Sequence, residues 1–321
     1  MKVSPKYDSK RFYPVRAGEV LANRYQVLVK IGWGGSSSVW LARDMHGYCW
    51  ELETIATLKI GNTTSRTADN KRNIEERIAK TDPSHRGRSL FRTSTDYFCI
   101  AGLFGSHLCL VYAPLREPIW LYQRRFKERM IPLPIVKTYI RVRLTGLDYF
   151  HTNCKVVHTD LKPENIMVGF EDPAVLGEFL NSTIDEANSY KIDSNGRPVY
   201  CRCTPFGPLR KVMNIPQIVD FGSSVRLEED DDWGIYPSQL DHYRAPEVIL
   251  GCVWRISADI WNMGVMVWDL IQGRELFRHI HNQDGTYNAR AHIAEIIGLL
   301  GPPPRERIAR YNSMIEFKWP Q

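Results

Sequence analysis

The sequence predicts an α+β fold in two lobes, a small β-rich lobe followed by a larger helical one. Three observations carry this. Through residue 113 apolar and polar positions mostly alternate, which is the period of half-buried strands. After the breaks at Pro114 and Pro118, from about Pro134, the period lengthens to that of helices. A chain of 321 residues with 43% hydrophobic content also holds enough apolar material for one large core or two moderate ones.

Residues 1–20 carry Pro5, Pro14 and several charges and read as an extended arm. Tyr25 to Ile31 alternates as a strand, Gly32 to Ser38 is a turn of glycine and serine, and Val39 to Ala42 is the returning strand. Thr54 to Ile60 is a third strand, Asn70 to Lys80 a helix, and Phe91 to Ile100 and His107 to Tyr112 two further strands. The small lobe therefore spans 21–113 as a mostly antiparallel sheet with one helix, and the large lobe 114–321. In the large lobe Pro134 to Thr152 reads as a helix burying Ile135, Tyr139, Val142, Leu147 and Phe150, with later helices at 258–273 and 289–300. Residues 171–216 are polar and contain five prolines, and read as a partly disordered surface insertion with one short helix near Ala174 to Leu180.

Composition excludes several functions. The net charge of +6 is modest, and Lys and Arg are dispersed without a run, so direct nucleic-acid binding is not indicated. No uninterrupted apolar stretch approaches about 18 residues, and the first residues lack an apolar signal segment, so no membrane association and a soluble intracellular protein are expected. The seven cysteines are scattered; Cys201 and Cys203 are the one close pair, and no second pair completes a zinc set.

The chemistry is concentrated in His158-Thr159-Asp160-Leu161-Lys162-Pro163-Glu164-Asn165. Apolar segments frame it, Val156-Val157 before and Ile166-Met167-Val168 after, so the polar octet reads as a loop held at both ends by a core. Asp220-Phe221-Gly222 follows another apolar run. Together they supply the parts of phosphoryl transfer: a carboxylate (Asp160) to accept the proton of an attacking hydroxyl, an ammonium (Lys162) to neutralise the moving phosphoryl group, and Asn165 and Asp220 to hold magnesium. The turn Gly32-Trp33-Gly34-Gly35-Ser36-Ser37-Ser38 lets backbone N–H groups approach phosphates, and Lys59 on the neighbouring strand extends a cation toward them.

The order of glycine turn, strand lysine, His-x-Asp loop, Asp-Phe-Gly and Ala245-Pro246-Glu247 resembles the eukaryotic protein kinases from about residue 20 to 301. Finer features are similar to the SR-protein kinases of the CMGC branch: Gly32-Trp33-Gly34 with Ser37 in place of the third glycine, Val39-Trp40-Leu41-Ala42, Gly146-Leu147-Asp148-Tyr149, His158-Thr159-Asp160 and Ala258-Asp259-Ile260-Trp261, with an insertion before Asp-Phe-Gly. The resemblance implies a two-lobed kinase fold with ATP in the cleft, Mg2+ as cofactor, Asp160 and Lys162 as catalytic residues, and Asn165 and Asp220 as metal ligands. It implies nucleotide contacts from Ile31, Gly32, Gly34, Ser37, Val39, Thr57, Lys59, Ala113 and Leu115, with Tyr112 at the back of the adenine pocket. It further implies transfer to serine or threonine, since Lys162 follows Asp160 by two, on Arg/Ser-rich protein substrates in the cytoplasm and/or nucleus. Asp259 resembles the aspartate that anchors the catalytic loop, though a charge favoured by a helix N-terminus is the other reading. Thr159 replaces the arginine that usually meets a phosphorylated loop, so activity without such phosphorylation is expected.

Two departures set an alternative beside this, a pseudokinase or nucleotide-binding scaffold with weak or no turnover. Aligning Ile78-Ala79-Lys80 with the end of the small-lobe helix puts Lys71 where kinases carry the glutamate that pairs with the strand lysine. Glu75 lies one turn later, where a shift of one turn would restore the pair; otherwise it packs toward Phe221. The large lobe also reads as shortened at its C-terminus, which implies that Glu247 lacks its usual arginine partner. Finally, Glu228-Glu229-Asp230-Asp231-Asp232 in the activation segment reads as either a solvated loop or an attractor of basic substrates.

Overall fold

The computed structural model describes residues 8–46, 54–63, 66–183, 190–193, 196–212, 214–227, 234 and 239–305. The acidic run 228–232 lies outside them. Two compact units result: Met1–Glu76 with Arg92–Arg116 and Val168–Asn214, and Arg77–Phe91 with Glu117–Met167 and Ile215–Gln321.

The first unit is built on a six-stranded antiparallel sheet: β1 (Val20–Leu21), β2 (Tyr25–Trp33), β3 (Ser37–Asp44), β4 (Thr54–Gly61), β5 (Asp96–Gly102) and β6 (Gly105–Tyr112), in the order β1-β2-β3-β4-β6-β5. Its alternation segregates the core as expected. Val27, Trp40, Ala42, Leu58, Ile60 and Val111 form one buried cluster with Val15 of the arm. Helix α1 (Arg66–Lys80) follows β4 and buries Ile74 and Ile78.

The insertion is not a surface appendage. It contributes α4 (Pro173–Thr183) and the hairpin of β10 (Tyr190–Ile192) and β11 (Pro198–Tyr200). Val175, Phe179, Leu180 and Phe206 pack with Val29 of β2 and Leu41 of β3, and Tyr200 joins the first core cluster. A few well-spaced apolar residues among prolines suffice, because each buried aromatic or branched side chain contributes about 1.5–3 kcal/mol. Arg116 fastens the base of the insertion: its Nη1 donates to both Glu171 oxygens at 2.7 and 2.8 Å, and its Nη2 to the Phe206 and Gly207 carbonyls. Both side chains of that pair are buried. The expected boundaries shift accordingly, since 168–214 joins the sheet unit and 77–91 leaves it.

The second unit is mostly helical. α2 (Ile119–Gln123), α3 (Leu133–Asp148), α5 (Pro246–Ile249), α6 (Ser257–Gln272) and α7 (Ala289–Leu300) are joined by short strands: β7 (Glu117–Pro118), β8 (Val156–Val157), β9 (Ile166–Val168), β12 (Gln217–Ile218) and β13 (Val225–Arg226). Residues 77–91 belong here because Arg77 Nε donates to the Cys154 carbonyl and the Tyr149 hydroxyl donates to the Ile78 carbonyl. Gly234 pairs with Trp254, where a Cβ would come within 2.1 Å of the indole. Among the described residues no helix is long and apolar enough to cross a membrane.

The buried side of α3 differs from the expected one. Val136, Tyr139, Arg143, Gly146 and Leu147 face inward, whereas Ile135 and Val142 are only half buried. A guanidinium thus occupies a core position, and among the described residues none of its nitrogens finds a hydrogen-bond partner. Burial pushes its pKa down to about 9. An uncompensated buried charge is destabilising, and apolar replacements of such groups add about 1–4 kcal/mol. Arg143→Met is therefore expected to raise the midpoint of the helical unit's calorimetric transition by several degrees, at roughly 2–4 °C per kcal/mol. A lower midpoint would show that the guanidinium is compensated.

Candidate active site

Each unit carries one set of the predicted residues. In the helical unit the octet runs from β8, fully buried, to β9, which buries Ile166 and Val168 and leaves Met167 half buried. β9 pairs antiparallel with β12 in the register Ile166↔Ile218, and the Val219 N–H donates to the Asn165 carbonyl at 3.0 Å. That ladder brings Asn165 next to Asp220, although the insertion separates them in sequence. Phe221, fully buried, holds Asp220 from below in an aromatic cluster with Phe91, Phe150 and His158, at centroid distances of 5.5–6.0 Å.

Asp160 is partly exposed and accepts from Lys162 Nζ at 2.9 and 2.8 Å and from Asn165 Nδ2 at 2.9 Å. The same Nδ2 donates to the Asp160 carbonyl at 2.8 Å, which leaves the Asn165 amide oxygen as an acceptor. The loop backbone is anchored by Asp259 at the first turn of α6. Its Oδ1 accepts the Thr159 N–H at 2.9 Å and its Oδ2 the His158 N–H at 2.7 Å, with His151 Nε2 at 2.8 Å from Oδ2. Asp259 is fully buried, so the anchoring role is the one realised.

Thr159 and Asp220 both adopt left-handed backbone, φ 66° and 69°, a conformation non-glycine residues take only where surrounding bonds impose it. For Thr159 those bonds are visible: its Oγ1 donates to the Ser223 carbonyl at 2.7 Å, while Ser224 Oγ donates to the His158 carbonyl at 3.3 Å. Neutral hydroxyls thus tie the catalytic loop to the chain after Asp-Phe-Gly, which accounts for an ordered loop with threonine in place of arginine. Glu247, also buried, accepts from the Ser257 hydroxyl at 2.7 Å, a partner the sequence reading did not foresee.

In the sheet unit, β2 and β3 meet across the glycine turn with Gly32↔Val39 and Trp33↔Ser38 in register, and the Gly34 N–H donates to the Ser37 carbonyl. Space beside Gly34 and Gly35 is open. Lys59 stands opposite Val39 on one side and Leu110 on the other; Thr57 stands opposite Leu41 and Tyr112. Val39, Thr57 and Lys59 thus share one face of the sheet. Thr57 is buried, and among the described residues its hydroxyl has no hydrogen-bond partner, which leaves it free to meet a polar group of a bound molecule. Ile31 is half buried against the insertion's apolar cluster. Ala113 is exposed, and its carbonyl accepts from Arg92 Nη2 at 2.6 Å; Leu115 follows two residues on, half buried.

Lys71 and Glu75 are both buried, and neither role expected for Glu75 describes its contacts fully. Its carboxylate accepts from the Tyr112 hydroxyl and from the Ser94 N–H, each at 2.9 Å, with Lys71 Nζ at 3.8 Å. Lys71 also lies 5.1 Å, and the Arg92 guanidinium 4.6 Å, from the centre of the Tyr112 ring. The contacts of Glu75 with Tyr112 and Ser94 escaped the sequence reading, as did Arg116; the signal available was two opposite charges one helical turn apart.

The comparisons with known proteins agree with the geometry. A family model of the protein kinase domain matches residues 208–316. A serine/threonine protein kinase of Aspergillus fumigatus is 34% identical over 304 residues, 94% of this chain and 70% of that protein. Serine/threonine-protein kinase SRPK of Physarum polycephalum is 31% identical over 342 residues, covering 98% of this chain and 77% of its own length. SRSF protein kinase 3 of the mouse is 34% identical over 164 residues, 49% of this chain and 27% of that protein. The fold and site define a protein kinase, an enzyme that uses ATP as substrate. More particularly, the chain belongs to the SRPK-type serine/threonine protein kinases.

Proposed function

We propose that the protein transfers the γ-phosphoryl group of MgATP to serine or threonine in Arg/Ser-rich proteins, in the cytoplasm and/or nucleus. The observation that carries the chemistry is the Asp160 cluster, a carboxylate held by Lys162 and Asn165 on a loop anchored at two amides by Asp259. Asp160 accepts the proton of the attacking hydroxyl, and Lys162, now paired to it, turns its charge to the transferring phosphoryl oxygens. The Asn165 amide oxygen and the Asp220 carboxylate are hard oxygen donors of the type that bind Mg2+ together with substrate phosphates, so the residues fit that ion. Held by those two side chains, Mg2+ would supply charge neutralisation of the phosphates. Lys59 and the amides of the turn from Gly32 to Ser37 take the phosphates, while Ile31, Val39, Thr57, Ala113 and Leu115 hold the base.

The substrate class is supported by the similarity to SRPK of Physarum polycephalum and to SRSF protein kinase 3. The acidic residues 228–232 would attract arginines on such a substrate. One observation favours a second reading, a nucleotide-binding kinase fold with weak turnover: Lys71 stands beside Glu75, whose oxygens are already engaged by Tyr112 and Ser94.

The test is transfer of labelled phosphate from MgATP to an Arg-Ser repeat peptide and to its Gln-Ser counterpart. The Arg-Ser peptide is expected to show a Michaelis constant about tenfold lower or better, an advantage that shrinks as salt rises. Equal constants at all salt concentrations would reject the substrate class. Mg-dependent ATP binding without transfer to either peptide would establish the second reading.

A further inference from the structure

Lys30, on β2, stands among aromatic rings. Among the described residues its Nζ donates one long hydrogen bond, 3.4 Å to the Tyr200 carbonyl, and it lies 5.9 Å from the centre of the Trp40 ring. Burial depresses its pKa, so the ammonium is short of water as well as of acceptors. It lines a pocket of about 180 Å³, open to solvent, within the sheet unit.

Three parts of the unit form the walls. The arm contributes Tyr13, the β2–β3 hairpin Trp33 and Trp40, and the insertion Arg197 and Tyr200. The other charges lining it are already engaged. Arg197 Nη1 donates to the Ser9 and Phe12 carbonyls at 2.7 and 3.4 Å, and the Asp193 carboxylate accepts the Arg197 N–H at 2.9 Å. Lys30 therefore supplies the cation with donors to spare, against surfaces suited to a flat ring.

We propose that this pocket binds a flat aromatic carboxylate, its ring against the Tyr13, Trp33 and Tyr200 side chains and its carboxylate on Lys30. Trp33, Ser37 and Ser38 line the pocket and also belong to the glycine turn, so occupancy biases the turn and changes the affinity for ATP. The coupling rests on the phosphate-holding role given to that turn above. The binding does not.

The full chain is titrated calorimetrically, without nucleotide, with 2-naphthoate and with its neutral counterpart 2-naphthamide. The carboxylate is expected to bind roughly tenfold more tightly than the amide, the difference a charged hydrogen bond makes. Lys30→Met, checked by circular dichroism, is expected to erase that difference while the amide binds as before. Saturating naphthoate is expected to shift the Michaelis constant for ATP at least twofold, and not in Lys30→Met. Equal affinity for the two probes, a preference that survives Lys30→Met, or no binding at millimolar concentration overturns the site. An unchanged constant for ATP despite saturation overturns the coupling alone. Binding is read without ATP, so a failure of the kinase reading leaves the first result standing.

Discussion

Asp160→Asn is expected to lower kcat for phosphate transfer by about 10²–10⁴-fold, the range lost when a positioned general base is removed. The substitution preserves volume, and the anchors of the loop lie elsewhere, at Asp259 and Ser223. Folding should therefore persist, with a thermal midpoint close to that of the natural protein. Nucleotide affinity should also change little, because in the proposed function Asn165 and Asp220 hold the metal and Lys59 the phosphates. The discriminating measurement is a pair: single-turnover transfer of labelled phosphate, and calorimetric titration with MgATP. A fall in transfer with preserved binding assigns the proton-accepting role. A folded variant keeping more than about a tenth of the rate would remove Asp160 from that role.

Asp259→Ala is expected to be the most destabilising of the single changes considered. It deletes the acceptor of two buried backbone N–H groups, at His158 and Thr159, and of the His151 ring. A buried donor left unmet costs about 1–3 kcal/mol, so the two amides together predict roughly 2–6 kcal/mol. At about 2–4 °C per kcal/mol the thermal midpoint should fall by roughly 10 °C. Catalysis should fall further than stability requires, because the released amides belong to the residues just before Asp160. Assays well below the new midpoint separate the two effects. Full activity at low temperature would mean that the loop holds its shape through Thr159 and Ser224 alone.

The catalytic octet, Asp-Phe-Gly and Ala-Pro-Glu were legible because phosphoryl transfer demands particular functional groups, and their apolar frames were legible because short buried strands need no amphipathic period. The α6 and α7 spans were equally plain, being long segments with sustained helical periodicity. The buried side of α3 was misread at Arg143, since residue type argues for exposure and only packing puts a guanidinium in a core. The insertion was misread for a related reason. Prolines and polar residues dominate its composition, yet burial is decided by the few side chains, such as Phe179 and Phe206, that find a partner surface on β2 and β3.

The sequence by itself determined the class of chemistry, since the order of Lys59, Asp160, Lys162, Asn165 and Asp220 along the chain meets the needs of one reaction type. The tertiary structure decided what supports those groups. Asp259 grips the loop at two amides, Thr159 stands in for an absent arginine by bonding Ser223, and Glu75 is shared between Tyr112, Ser94 and Lys71. Apart from Lys71, one helical turn from Glu75, such supports are partnerships between residues far apart in the chain. Period and composition report only on neighbours along the sequence, so a partner fixed by the closure of a strand pair or the docking of a helix is set by packing alone.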